Sequence, residues 1–353
     1  MSFDNKSSNR LATSNSGVLG WHAAAWQSIV GEKSRWPHAV LLKGERGIGK
    51  LAFAQELAKG LLCERSETLK SCGDCTGCNL IAAALHPDFR DVVPAAASPE
   101  IDEIALDRAR DKAKKPSALI LIEQIRELTD YVNIRSQRDV GKVIALYPAE
   151  SLNVNAANAL LKMLEEPPPR TYFLLITHGA QKLLPTLLSR CRQIALPAPD
   201  RQQALGWLAA HGIRQPELSL AQAGGAPLQA AGFDADYWVQ RASLLAHLTA
   251  PRFDPLATAE ALRRHEMVCT VDWLQKWVFD LIFLKVVGKI RYYPDCGEVL
   301  SKLVNGLDSR EMIRFSKELS DQREVAGHSL NAQLFTEQLM LSYSHLLRSG
   351  RNG

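Results

Sequence analysis

Two short apolar runs with an amphipathic helix between them constrain this fold more than any other part of the chain. They are residues 143–146 (VIAL) and 172–177 (YFLLIT). Each is too short for a buried helix and reads as a strand covered on both faces, as in a parallel sheet. Between them Ala157, Leu160, Leu161 and Leu164 recur at helical spacing, forming a stripe that turns Lys162, Glu165 and Glu166 away. Pro167, Pro168 and Pro169 end that helix, because proline has no amide to donate and collides with the preceding turn. A shorter helix follows at 183–188 and closes on Ser189-Arg190-Cys191. Strands alternating with helices imply a largely parallel sheet with helices on both faces.

The same alternation begins upstream. Residues 21–30 predict a helix and 39–42 a strand, followed by Gly44-Glu45-Arg46-Gly47-Ile48-Gly49-Lys50-Leu51 and a helical pattern over 52–62. This nearly matches a phosphate-binding loop in its required setting of strand, loop and helix N-terminus. Gly44, Gly47 and Gly49 would let backbone amides approach phosphates, and Lys50 would reach their outer oxygens. The last position departs: Leu51 has no hydroxyl to place on Mg²⁺. The strand at 143–146 would carry acidic residues at its end in an active NTPase, but Tyr147 and Pro148 stand there. Glu150 comes too late for that role and reads as a surface or helix N-terminal carboxylate. These losses together predict a chain that does not hydrolyse ATP. For nucleotide binding two readings stand, a structural relic and a weak, metal-poor site.

Cys63, Cys72, Cys75 and Cys78 are spaced C-x₈-C-x₂-C-x₂-C, with Gly73 and Gly77 allowing tight turns. Four thiolates suit tetrahedral Zn²⁺ and leave no open position, so the expected role is structural. A redox pair at Cys72 and Cys75 or a chance cluster are the alternatives. His86 could replace one cysteine, although His86-Pro87-Asp88 reads more simply as the entry to a strand near 91–94. Seven cysteines, an odd number, suit a reducing cytoplasm better than a disulfide scaffold. With 353 residues and 46% hydrophobic content, the chain can form two or three ordinary globular domains. No apolar run approaches the roughly 20 residues that span a bilayer, and the polar N-terminus has no signal-peptide core. A net charge of +4 is too mild to argue for nucleic acid. The basic end of the 95–116 insertion, Arg108, Arg110, Lys112, Lys114 and Lys115, reads as a solvated face.

Taken together, the near-phosphate loop, the four-cysteine insertion, Asn158-Ala159-Leu160-Leu161-Lys162-Met163-Leu164-Glu165-Glu166-Pro167-Pro168 and Ser189-Arg190-Cys191 resemble the clamp-loader branch of the AAA+ family. Residues 38–197 carry the motifs. His328-Ser329-Leu330-Asn331 and the Leu-rich helix after them are similar to the C-terminal end of the non-hydrolysing subunit type. The ATPase subunits of that branch keep an Asp-Glu pair and a Ser or Thr where this chain has Tyr147, Pro148 and Leu51, whereas Gly49-Lys50 follows their pattern.

The resemblance implies an α/β fold: an AAA+ P-loop-type parallel-sheet domain at 1–197 with a zinc module at about 63–78, a small helical lid at 198–236 and an all-α collar at 237–353. It implies a lid turn, Gly224-Gly225-Ala226-Pro227-Leu228-Gln229, without the nucleotide-sensing arginine of active relatives. It also implies a hetero-oligomer with the delta and tau/gamma subunits of a bacterial DNA polymerase III clamp loader, acting on the sliding clamp and primed DNA in the cytoplasm, without a membrane. Arg190 reads on its position alone as solvating the last carbonyls of its helix; the resemblance makes it a finger reaching the γ-phosphate of a neighbouring ATPase. In the C-terminal part, helical spacing puts Trp273, Trp277, Leu281, Leu284 and Val287, and Leu334, Leu339 and Leu346, on core stripes. An active ATPase of the tau/gamma type and a stand-alone zinc-containing nucleic-acid-binding protein are the competing functions.

Overall fold

The computed structural model describes residues 17–31, 33–97, 117–326 and 331–349. The polar N-terminal tail, the basic run Arg108, Arg110, Lys112, Lys114 and Lys115, and His328, Ser329 and Leu330 lie outside the described residues. The chain divides into two compact units, Met1–Ala204 and Leu205–Gly353.

The first unit is built on five parallel strands, β1 Ala39–Lys43, β2 Phe89–Val92, β3 Lys142–Leu146, β4 Thr171–Thr177 and β5 Arg192–Ala195, in the order β2-β3-β4-β1-β5. Its helices are α1 Ala23–Ile29, α2 Lys50–Leu62, α3 Thr76–Ala82, α4 Ile122–Asn133, α5 Val154–Glu165 and α6 Pro185–Arg190. Successive strand side chains point to opposite faces, which gives two cores. Leu41, Ile144, Leu146, Phe173 and Leu175 pack with α4, α5 and α6. Val40, Leu42, Val143, Ala145, Leu174 and Ile176 pack with α2 on the other face.

Local chemistry fixes the ends of these elements. Asn153 caps α5 by accepting from the Ala156 amide at 2.8 Å, and the helix stops at Glu165 ahead of the prolines. The buried face of α5 is Ala156, Ala157, Leu160, Met163 and Leu164; Leu161, expected in the stripe, packs only at its rim because Met163 takes the inward position. The strand expected near 91–94 is Phe89–Val92, anchored by buried Asp88, whose carboxylate accepts the Gln137 and Arg138 amides at 2.9 and 3.0 Å. Helix α2 passes so close to the loop after it that a Cβ on Gly60 would lie 1.8 Å from the Leu69 carbonyl oxygen. Gly60→Ala is therefore expected to destabilise the chain by about 1–3 kcal/mol, since that carbonyl belongs to backbone and cannot rotate aside. Chemical denaturation checks this; an unchanged midpoint would contradict the packing.

Helix α7, Arg201–Ala210, spans the division. After it come α8 Pro216–Gln222, α9 Pro227–Ala231, α10 Ala235–Leu248, α11 Pro255–Ala261, α12 Met267–Val287, α13 Gly297–Asn305, α14 Ser309–Val325 and α15 Ala332–Ser349. Trp273, Trp277, Tyr293 and Tyr343 centre one core. Their polar ends are satisfied: Trp277 Nε1 donates to the Tyr343 hydroxyl and Tyr293 donates to the Trp273 carbonyl, both at 2.9 Å. Buried Asp280 accepts the amides of Arg291, Tyr292 and Tyr293. Trp273, Trp277, Leu281, Leu339 and Leu346 are core as expected, but Leu284 is only half-buried and Val287 and Leu334 are 49% and 63% exposed. Val287 is the last residue of α12, and Leu334 falls five residues before Leu339, off the face of α15 that buries Phe335, Thr336 and Leu339. No helix among the described residues is long and apolar enough to cross a membrane.

Candidate functional site

The chain leaves β1 at Lys43 and turns into α2 through Gly44–Gly49. Gly47 and Gly49 have φ of 71° and 98°, which glycine adopts without steric cost. Gly44 is fixed by close approach instead, because a Cβ there would meet the Leu196 carbonyl oxygen at 2.7 Å. Lys50, buried at the head of α2, donates to the carbonyls of Gly44, at 2.8 Å, and Glu45, and to His178 Nδ1 at 2.8 Å. Burial lowers the lysine to about 8, with Glu150 pulling the other way. Burial, then the Lys50 charge, takes His178 down to about 3, so its imidazole is neutral and accepts at Nδ1.

Glu150 accepts the Thr177 hydroxyl at 2.7 Å and the His178 amide at 3.1 Å, holding the end of β4 beside the loop. Tyr147 sets its ring edge-on to His178 with centroids 5.4 Å apart. From the N-terminal side Trp21 Nε1 donates to the Ile48 carbonyl at 2.9 Å, and Leu19 Cδ1 lies 2.2 Å from where a Gly49 Cβ would stand. Gly44, Gly47, Gly49 and Lys50 thus come together, but Leu51, Tyr147 and Pro148 bring neither the hydroxyl nor the carboxylates that hold Mg²⁺ and orient water. His178 and Glu150 are the residues that sequence reasoning did not attach to the loop. Glu150 lies in the first turn of a short 3-10 helix, Ala149–Ser151, as one of the two expectations had it, but it is half-buried and bonded to β4 rather than on the surface. The position of His178, directly after the run 172–177, was the available signal.

Arg190 ends α6. Its guanidinium donates to the Thr186 carbonyl at 3.2 Å and pairs with the Glu165 carboxylate at the end of α5. Side-chain exposures of 35% for Arg190 and 48% for Glu165 leave the pair open to water, where such contacts contribute no more than about 1 kcal/mol. Cys191 beside it is buried, and burial pushes its thiol up to about 11, so it anchors the helix end rather than reacting. Strand β5 pairs with β1 in parallel, Val40 with Arg192 and Lys43 with Ala195. Arg190 therefore precedes the N-terminal end of that ladder, whereas the phosphate loop follows its C-terminal end.

The four cysteines form a compact cluster. Cys63 caps the end of α2 and Cys75 the start of α3, and the four sulfurs lie within 4.8 Å of one another. Cys63 and Cys75 are 3.9 Å apart, Cys72 and Cys78 4.0 Å. Zn–S bonds of about 2.3 Å in a tetrahedron require sulfur separations of about 3.8 Å, so the thiolates fit a metal ion. All four are free cysteines. Backbone amides of Cys72, Cys75 and Cys78 point at the sulfurs of Cys63, Cys72 and Cys75, each at 3.4 Å. Burial pushes Cys78 up to about 12; burial also raises Cys75, but the Cys78 amide and other donors outweigh it and leave that thiol at about 6. A dication held by the four sulfurs would relieve this conflict among neighbouring thiols.

Gly73 makes the expected turn at φ 87°, but Gly77 lies inside α3, where a Cβ would meet the Leu62 carbonyl oxygen at 2.7 Å. His86 lies outside the sulfur cluster, its Nδ1 accepting the Asp88 amide at 3.1 Å. Lys33 donates to the Cys63 carbonyl at 2.6 Å, placing a cation beside the thiolates.

At the Gly224-Gly225 turn, the two glycines reverse the chain after α8 at φ 66° and 99°. The Gly224 carbonyl accepts from Arg291 at 3.1 Å.

Comparison with known proteins follows the same lines. A family model described as DNA polymerase III, delta subunit, matches residues 23–200. DNA polymerase III subunit delta' of Pseudomonas aeruginosa is 32% identical over 93% of this chain and 98% of its own length. The subunit delta' of Escherichia coli is 29% identical over 90% of this chain and 92% of its own length. DNA polymerase III subunit tau of Escherichia coli is 35% identical over 52% of this chain, but over only 27% of its own length. Among solved structures, a DNA polymerase III gamma subunit-related protein from Thermotoga maritima aligns at a TM-score of 0.42 and 15% identity, covering 90% of this chain and 97% of that one.

Proposed function

The chain belongs to the family of DNA polymerase III delta' subunits, and we propose that within the clamp loader it hydrolyses no ATP itself but supplies Arg190 to the active site of a neighbouring ATPase subunit. The observation that carries this reading is the placement of Lys50 and Arg190 beyond opposite ends of the β1–β5 ladder. Four paired residues at about 3.3 Å each put more than 10 Å of strand between them. The guanidinium therefore cannot serve its own chain's loop from that end, while at the edge of the unit it is half-exposed and held by two weak contacts, to the Thr186 carbonyl and to the Glu165 carboxylate. A planar, permanently charged guanidinium suits the charge that develops on a transferring phosphoryl group. At the positions where an active NTPase places its Mg²⁺ ligands and its catalytic carboxylate, this chain has Leu51, Tyr147 and Pro148.

On this reading the cluster of Cys63, Cys72, Cys75 and Cys78 holds Zn²⁺ as a scaffold element with no open position. Residues 198–236 act as the lid and residues 237–353 as the collar that joins a tau/gamma-type ATPase and the delta subunit. The exposed apolar residues Phe279, Val286 and Val287 on α12 give the collar a surface to bury against a neighbour. The complex loads the sliding clamp onto primed DNA in the cytoplasm.

The purified chain is expected to turn over no ATP above background in the presence of Mg²⁺, and to co-elute with delta and the tau/gamma ATPase when the three are mixed. Measurable turnover that depends on Lys50 would overturn the silent-site reading.

A further inference from the structure

We propose that His178 is an internal ligand of the phosphate loop: it occupies the place on Lys50 that a phosphate oxygen would take, and beneath it the loop keeps a latent site for a nucleoside di- or triphosphate. The inference rests on the silent-site reading above and names the residue that silences binding.

An ammonium group has three N–H donors. Those of Lys50 go to the Gly44 carbonyl, the Glu45 carbonyl and His178 Nδ1. A phosphate oxygen can reach Nζ only by displacing one of them. Two of the acceptors are backbone of the loop itself, so the imidazole is the one acceptor of the three that a side-chain rotation could remove. It does not rotate freely. The His178 amide is held by Glu150 at 3.1 Å, Glu150 also accepts Thr177 Oγ1 at 2.7 Å, and the ring packs edge-on to Tyr147. The residue is thus fixed at the end of β4 with Nδ1 aimed at the lysine from 128 positions away in sequence.

What lies underneath retains the anion-binding geometry. Gly47 and Gly49 keep positive φ, and α2 starts at Lys50 with its first amides directed at the loop. Leu51, Tyr147 and Pro148 offer no ligand to magnesium, so whatever the opened loop binds, it binds through Lys50 and backbone amides and without dependence on the metal.

The test is titration of the full-length chain with the fluorescent nucleotide mant-ADP, with Mg²⁺ and separately with EDTA, comparing the unaltered chain with His178→Ala and with His178→Ser. A hydrogen bond to a charged donor corresponds to roughly a tenfold change in affinity. Each variant is therefore expected to bind mant-ADP about tenfold more tightly than the unaltered chain, equally with and without Mg²⁺. Adding Lys50→Met to either variant is expected to abolish the gain. Circular dichroism and thermal melting establish that the variants are folded; the serine variant keeps a small polar side chain should alanine destabilise the buried lysine.

Binding by the unaltered chain as tight as by folded variants overturns the proposal, as does a gain that survives Lys50→Met. The two readings fail separately. ATP turnover by the unaltered chain defeats the non-hydrolysing assignment, whereas tight nucleotide binding without turnover defeats only the role of His178.

Discussion

Replacing Arg190 by alanine in a reconstituted clamp loader is expected to lower ATP turnover at the one adjacent site by about 10³-fold or more, the scale at which trans arginines act in phosphoryl transfer. Assembly should be untouched. The guanidinium makes two contacts within its own chain, to the Thr186 carbonyl and to Glu165, and both are solvent-facing enough to contribute little to folding. Arg190→Lys should fail to rescue, because a lysine presents a point charge where a planar fork is needed. The measurement is DNA-stimulated hydrolysis in a complex whose remaining ATPase sites have been inactivated, so that the affected site is read alone, with gel filtration to confirm that the complex forms. Full turnover in an intact complex would remove Arg190 from the mechanism and leave it as a helix-terminal arginine.

The second large effect concerns the cysteine cluster. One zinc ion per chain is expected by elemental analysis, and its removal with a strong chelator should lower the melting temperature by on the order of 10 °C, since structural zinc commonly contributes several kcal/mol to folding. Cys75→Ser and Cys78→Ser should do the same. Both residues are buried, and together with Cys63 they tie the end of α2 to the start of α3. Without the ion, buried thiols crowd one another beside Lys33, whose ammonium then has less negative charge to face. Cys296→Ser, outside the cluster, should leave the metal content unchanged. A chain purified free of metal with the same melting curve would show that sulfur packing and amide contacts suffice.

The parts of the fold legible in the sequence are those specified locally. Residues 143–146 and 172–177 are short, almost wholly apolar runs, the length and composition of strands covered on both faces, and Asn153 and Pro167 bracket α5 within its own stretch of chain. The cysteine spacing is equally local. For Arg190, position alone favours a helix-terminal role, which its contact to the Thr186 carbonyl fits, and the proposed role in trans rests on the motif around it.

What escaped are contacts between distant segments. Nothing near Lys50 announces that His178 will accept from it, or that Leu19 will cover Gly49. The spacing of Gly77 suits a turn, yet it is needed inside α3, where a Cβ would meet the Leu62 carbonyl. Val287 fits the periodicity of its buried stripe and is still exposed at the end of α12, whereas Leu334, five residues before Leu339, lies off the stripe that Leu339 and Leu346 share, so the expectation that groups the three is wrong. The strand order, with β1 between β4 and β5, likewise depends on which crossovers form.

Consider, last, what it means that Arg190 and Gly44 flank the same two-strand ladder. Past the end of β5, the Leu196 carbonyl presses on Gly44 so closely that no side chain fits between them; before its beginning, Cys191 locks the residue bearing the guanidinium. On the proposed reading, the packed loop at one end of this strand pair is the footing for the residue that bears the guanidinium at the other, which would give the loop a reason to stay well packed with no turnover of its own.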